Sequence, residues 1–181
     1  MIKPLQSEEL ILKEFSCADI TMDYINWLND KEINKYLESR FIYQDLNTVK
    51  DFVSNCEKND LIYLFGVFTK NNMKHIGNIK VGPINKRHNI ADIGILIGDK
   101  KFWGKGIATQ AITVLIDFGF NQLNLEKITA GCYEKNTASK KAFEKAGFKV
   151  EGFFRNHVNA SDVRQGVWKL GCLRTDLAEG I

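Results

Sequence analysis

Proline is almost missing from this sequence: Pro4 and Pro83 are the only two in 181 residues. There is also no internal repeat, low-complexity tract or Gly/Ser-rich linker, so one domain over residues 1–181 is expected rather than modules on a tether. Neither sign of charge is in excess. The 25 Lys and Arg stand against 22 Asp and Glu, a net +3, and the two signs are interspersed. A nucleic-acid binder should show a basic stripe, so no nucleic-acid partner is expected. Cys17, Cys56, Cys132 and Cys172 are far apart with no C-x-x-C, and with the three histidines they make no zinc spacing. Reduced thiols and no metal are therefore expected. No apolar run approaches the ~20 residues that cross a bilayer. The opening MIKPLQSEEL has no apolar signal region. These absences predict a cytoplasmic protein with no membrane partner; a monomer or homodimer is expected, a choice the sequence does not make.

What is present is an ordered alternation of periods. With 44% hydrophobic residues the chain can bury one substantial core. Leu10 to Phe15 reads as a strand, Asp19 to Leu28 as a helix bringing Ile20, Tyr24 and Trp27 together, and Lys31 to Leu37 as a second short helix. Asn47 is a candidate N-cap for a helix Thr48 to Cys56 with Val49, Phe52 and Val53 facing in. Strand periodicity follows at Leu61–Phe68, at His75–Val81 after an Asn71-Asn72 turn, and at Ile90–Ile97. A helix to about Phe120 repeats Ile107, Ala111, Leu115 and Phe118 on one face. Then come a strand Lys127–Cys132, a helix Thr137–Ala146 stopped by Gly147, and strands Phe148–Phe154 and Val163–Leu173. This order predicts an α+β fold with a mixed, mostly antiparallel sheet flanked by helices.

Gly104, Gly106 and the small Ala108 follow a strand and open a helix. In such a turn consecutive backbone N–H groups converge on one anion, with the positive end of the helix dipole behind them. A phosphate or pyrophosphate is the expected ligand, although a bare strand-to-helix connection uses the same glycines. A Walker A loop is excluded because Gly104-Lys105 is followed by Gly106, not Ser or Thr. A dinucleotide fingerprint is excluded because Thr109 stands where Gly or Ala is required.

About 30 residues downstream, Asn136-Thr137-Ala138-Ser139 opens the helix that carries Phe143-Glu144-Lys145-Ala146-Gly147-Phe148. With Ile93-Gly94-Ile95-Leu96-Ile97 leading to Trp103-Gly104-Lys105-Gly106-Ile107-Ala108, the sequence from Leu10 to Leu173 resembles the GNAT superfamily of N-acetyltransferases. It looks most like the branch of ribosomal-protein alanine acetyltransferases and sugar-nucleotide amine acetyltransferases, where Trp commonly replaces the first Arg or Gln of the loop. The stretches Tyr24–Asp30 and Tyr36–Phe41, with Gly131-Cys132-Tyr133, look most like amino-sugar members. The resemblance implies a GNAT fold, a sheet of six to seven strands splayed at strand four. It also implies direct acetyl transfer from acetyl-CoA, a co-substrate, to a primary amine.

That chemistry sets requirements. An alkylammonium of pKa about 8–10 must lose a proton before it attacks, the oxyanion needs an N–H donor, and the departing thiolate needs a proton. The family pattern assigns Ile95, Leu96 and Ile97 backbone to the pantetheine and thioester, and Trp103, Gly104, Lys105, Gly106, Ile107, Ala108, Asn136, Ser139 and Lys145 to the rest of the cofactor. Lys100, Lys101, Lys140 and Lys141 cluster with Lys105 and Lys145, either attracting CoA phosphates or simply solvated. Asp92 is the candidate base, as an unpaired carboxylate entering a buried strand; the alternative is a solvent-facing strand start. The acid that many members carry seven residues after the Asn is here Phe143, so Tyr133 is the substitute candidate, packing being its alternative. Cys132 reads as a buried strand thiol without a base beside it, not a nucleophile. Trp27, Asn29, Tyr36, Arg40 and His157 are candidates for the acceptor wall, where an aromatic and Arg set suits a nucleotide sugar. Trp27 and Tyr36 also fit packing positions. Three functions follow: small-molecule amine acetylation, with an amino-sugar nucleotide foremost; N-terminal acetylation of a protein; and a non-catalytic acyl-CoA-binding module.

Overall fold

The computed structural model describes residues 2–160 and 163–177. Its strands are β1 Leu5–Gln6, β2 Leu10–Glu14, β3 Tyr63–Thr69, β4 His75–Val81, β5 Ile90–Ile97, β6 Lys127–Tyr133, β7 Lys149–Ala160 and β8 Val163–Leu173. They form one eight-stranded sheet in the order β1-β2-β3-β4-β5-β6-β8-β7. Every pairing is antiparallel except β5 with β6. The mixed, mostly antiparallel α+β fold is therefore observed. The eighth strand is the short β1, where Leu5 pairs with Leu12 and Gln6 with Ile11, too brief to show a period in the sequence. Strand four of the sequence reading is β5.

Helices cover both faces. One face carries α1 Met22–Asn29 and α2 Leu46–Glu57; the other carries α3 Ile107–Asn121 and α4 Thr137–Lys145. The larger core lies under α3 and α4, where Ile107, Ala111, Leu115 and Phe118 pack on Ile79, Ile93, Ile128 and Leu170. A second core under α1 and α2 gathers Phe15, Tyr24, Leu28, Val49, Val53 and Leu64. A third, small cluster of Tyr133, Val167 and Ala160 lies on the same face, over β6 and β8.

Two helix readings change. The N-cap of α2 is Asp45, whose carboxylate accepts the N–H of Thr48, and Phe52 points to solvent while Val49, Val53 and Cys56 face inward. The expected helix Lys31–Leu37 does not form. The Asp30 carboxylate accepts the N–H groups of Glu32 and Ile33, and the Asn34 amide donates to the Leu28 carbonyl. Side-chain bonds of this kind compete with the helical ladder and leave turns.

The sheet opens in the middle. β5 and β6 pair only from Ile90↔Lys127 to Ile93↔Ala130. Beyond that, β4 holds β5 as far as Ile97 and β8 holds β6 as far as Tyr133. Gly94–Ile97 and Gly131–Tyr133 therefore part, leaving a V-shaped gap whose edges carry unpaired backbone groups.

Candidate active site

The turn after β5 leaves the N-terminus of α3 open. Gly104 and Gly106 have φ of 72° and 78°, a left-handed conformation in which glycine is strongly favoured, and a Cβ at either would meet open space. Gly106 is the N-cap of α3 and has no side chain to cap it; the first helical bond runs from Gln110 N–H to Gly106 O. The N–H groups of Ile107, Ala108 and Thr109 are thus left facing outward at the helix start. Ile107 buries its side chain, so its contribution here is backbone. Lys105 is exposed, and its ammonium stands 6.0 Å from the Phe102 ring centre. Trp103 is anchored, its indole N–H donating to the carbonyl of Ile97 at 2.7 Å.

The gap supplies the neighbouring donors. Gly82 N–H bonds to Asp92 O and Gly98 N–H to Ile76 O, so in the antiparallel alternation Asp92, Gly94, Leu96 and Gly98 are the residues bonded to β4. Ile95 and Ile97 turn their backbone groups the other way, into the gap. Leu96, expected to join them, is held in the ladder and packs its side chain toward the α1 and α2 core. With the Ile97 carbonyl taken by Trp103, the open groups on β5 are the N–H and C=O of Ile95 and the N–H of Ile97.

α4 closes the site from the far side. Asn136 Oδ1 accepts the N–H of Ser139 at 3.2 Å, which makes Asn136 the N-cap of α4. The helix ends at Gly147, φ 100°, with Phe148 N–H bonded to Phe143 O and the two rings 5.0 Å apart. Phe143 is 2% exposed, so the position of the usual family acid is core. Lys145 and Gly106 line one cavity of about 720 Å³ along α3. Lys100 is neutralised by Asp30 and Glu32, and Lys140 by Glu144; Lys105, Lys141 and Lys145 have no ion-pair partner among the described residues.

On the opposite face, over β6, a cleft of about 360 Å³ is lined by Glu38, Gly131, Tyr133, His157, Val158 and Val167. The Tyr133 hydroxyl donates to Glu38 and accepts from Arg40 Nη1 at 2.9 Å. Burial, reinforced by the Glu38 carboxylate, raises the Tyr133 hydroxyl above its ordinary pKa. Arg40 also donates to the carbonyls of Leu37 and Asn159, tying the 38–41 turn to the β7–β8 hairpin. A bulge between Phe154 and Val158 brings His157 into the cleft lining, its ring 5.1 Å from that of Phe154. Tyr36 packs edge-on against Tyr133 and donates to the Lys135 carbonyl.

Other acceptor candidates are committed elsewhere. The Trp27 indole covers Gly98 so closely that a Cβ there would lie 2.0 Å from it. Asn29 donates to the carbonyls of Ile25 and Gln44 and accepts the Gln44 N–H, so both ends of its amide bind the chain itself. Asp92 does not enter a buried strand unpaired: it is exposed on the cleft-side face and accepts from Thr129 Oγ1 at 2.8 Å. Burial pushes the Cys132 thiol up to about 11, which keeps it an inert core residue. Among the described residues no group of His, Cys, Asp and Glu could hold a metal ion, and no helix is long and apolar enough to cross a membrane.

A family model for the acetyltransferase (GNAT) domain matches residues 9–149. The chain belongs to the GNAT acetyltransferase family. An uncharacterised N-acetyltransferase of Bacillus licheniformis, p20, is 30% identical over 184 residues, covering 98% of this chain and 99% of that protein. Two of the solved structures that share the fold illustrate it. A spermidine N-acetyltransferase from Vibrio cholerae, in complex with CoA and spermine, superposes with TM-score 0.86 at 23% identity over 95% of this chain and 99% of that one. A ribosomal-protein-S5-alanine acetyltransferase from Vibrio fischeri does so with TM-score 0.83 at 22% identity over 97% and 98%. This GNAT protein is an N-acetyltransferase. Its site contains a carboxylate that sequence reasoning passed over, Glu38, which no motif marks and which only its contact with Tyr133, 95 residues away, brings into the cleft.

Proposed function

We propose that the chain is one acetyltransferase domain, monomeric or homodimeric and cytoplasmic. In this reading it moves the acetyl group of acetyl-CoA to the primary amine of a small molecule, with an amino-sugar nucleotide as one candidate. The observation that carries it is the Tyr133 hydroxyl, held between Glu38 and Arg40 in a cleft on the opposite face of the gap from the anion-binding turn. The bond from Arg40 to Asn159 O, at 2.6 Å, ties the 38–41 turn to the β7–β8 hairpin beside Val158 of that cleft, an arrangement that favours a small acceptor over a polypeptide tail.

The residues present fit coenzyme A. Gly104, Gly106 and the N–H groups of Ile107, Ala108 and Thr109 would take its pyrophosphate; Lys105 and Lys145 would face its phosphates; and Ile95 and Ile97 would bond its pantetheine arm through the gap. Bound there, acetyl-CoA supplies an activated acetyl thioester. The chain's own groups do the rest. Asp92 Oδ2, on the acceptor face two residues from Gly94, takes the ammonium proton through water. The raised pKa of Tyr133 keeps its proton on Oη through neutral pH, bonded to Glu38; turned from Glu38 to the departing thiolate, that proton completes the transfer, with Arg40 donating to the oxygen left behind. Asn136 and Ser139 set the start of α4 against the cofactor side.

Free thiol followed over a panel of small amines with acetyl-CoA tests this. Acceptor-dependent release with at least one is expected. Release supported only by N-terminal peptides, or acetyl-CoA binding without turnover on any amine, overturns it.

A further inference from the structure

Two lysines that the proposed chemistry does not use stand in one row of the acceptor face: Lys80 beside Gly94, and Lys169 beside Gly131 at the cleft. Alternate residues of β5, β6 and β8 stand in rows there: Asp92, Thr129 and Gly171, then Gly94, Gly131 and Lys169 across the gap, then Leu96, Tyr133 and Val167. Most of the ionic groups around this floor are matched. Lys127 is 2.6 Å from Glu151, and Glu38 and Arg40 meet through the Tyr133 hydroxyl.

Lys169 is different. Its ammonium stands 3.5 Å from where a Cβ on Gly131 would lie, and 5.8 Å from the Phe154 ring centre. It is half-buried, yet forms no ion pair among the described residues; Asp92 and Glu151 are the nearest acids by strand register, one bonded to Thr129 and the other to Lys127. The lysine stem lies over Gly131 on the floor beside the gap, next to the cleft of Glu38, Tyr133 and His157. A half-buried cation so placed repels a second ammonium and attracts an acid more strongly than it would in open solvent.

We propose that Lys169 is the specificity-determining cation of the acceptor site: it binds a phosphate or carboxylate carried by the acceptor, whose amine lies toward Asp92 and Glu38. The substrate class is then an amine that also bears an acid, and a polyamine is disfavoured. This rests on the reading that the acceptor enters over Gly94 and Gly131.

The test is calorimetric titration of the full chain, loaded with CoA, with phosphoethanolamine, β-alanine, ethanolamine and spermidine. Phosphoethanolamine or β-alanine should bind at least ~10-fold more tightly than ethanolamine, and whichever is preferred separates a phosphate from a carboxylate site. Lys169→Met should erase that preference and strengthen spermidine binding, Lys169→Arg should restore it, and CoA affinity should not move in either. Equal or absent binding of the four probes to the unaltered protein, or a preference that survives Lys169→Met, overturns the proposal. The two readings fail separately: ethanolamine and spermidine turned over equally by both proteins would sink the role of Lys169 and leave acetyl transfer standing. Acid-dependent binding without thiol release on any amine would do the reverse.

Discussion

Trp103 donates its indole N–H to the backbone carbonyl of Ile97 at 2.7 Å, so the glycine turn is tied to the end of the very strand that edges the gap. The bond joins the two halves of the proposed cofactor site. Trp103→Phe keeps an aromatic surface and removes the donor. We expect a stability loss of about 1 kcal/mol and a several-fold rise in the KM for acetyl-CoA, with kcat little changed; thermal melts and steady-state kinetics check both.

Gly106→Ala isolates the backbone term, because the new Cβ would meet nothing within 4 Å and only φ 78° is left to oppose it. A left-handed alanine costs about 1–2 kcal/mol, and relaxation of that strain would turn the α3 N–H groups off the pyrophosphate. Urea melts should show the first. Loss of CoA affinity by isothermal titration should show the second, and Gly106→Trp should abolish binding with the fold retained. Full affinity in both variants would remove the turn from the cofactor site.

Tyr133→Phe deletes the hydroxyl between Glu38 and Arg40 and keeps the ring against Tyr36. Turnover should fall by ~10²-fold or more if that hydroxyl is the acid, while CoA binding stays. Because burial and then Glu38 raise its pKa, the alkaline limb of kcat in the unaltered enzyme should lie above the ordinary tyrosine value. An alkaline limb that is unmoved in Tyr133→Phe assigns the acid elsewhere.

Asp92→Asn retains the hydrogen bond with Thr129 and removes the base. The expected loss is ~10²-fold in kcat/KM, with the acidic limb of the pH–rate profile flattened. The same profile with and without the carboxylate would leave Asp92 as a strand residue on the acceptor face.

His75 governs an acid sensitivity unrelated to catalysis. Its ring lies among Phe15, Tyr24, Trp27 and Phe68, its Nε2 meets Gly77 O at 2.9 Å, and its Nδ1 has no hydrogen-bond partner among the described residues. Burial lowers its pKa in the folded protein. The unfolded chain therefore binds this proton more readily, so the contribution to stability is complete above the unfolded value of 6.5 and is lost as pH falls from there through the folded value. Melting temperature measured from pH 7.5 to 5 should fall in the unaltered protein and fall less in His75→Phe.

What was legible in the sequence is what neighbouring residues dictate to one another. A glycine pair after a strand, Asn136 three residues before Ser139, Gly147-Phe148 after a helix and the apolar face of α3 all act through φ, ψ and bonds within a turn or two, and the structure holds each as a local motif. Where side chains compete with the backbone the local reading failed, as at Asp30 and Asn34, which dissolve the expected helix after α1.

Only the tertiary structure decided the acceptor side. Strand register leaves Ile95 and Ile97, not Leu96, facing the gap; packing puts Trp27 on Gly98; and chain crossing brings Glu38, Arg40 and Tyr133 to one hydroxyl and Lys169 over Gly131. Such meetings depend on contacts between residues tens of positions apart, which no short-range pattern encodes. Sequence alone therefore determined the family and the glycine turn that opens α3, while the order of the strands and the packing between them determined which side chains stand along the cleft.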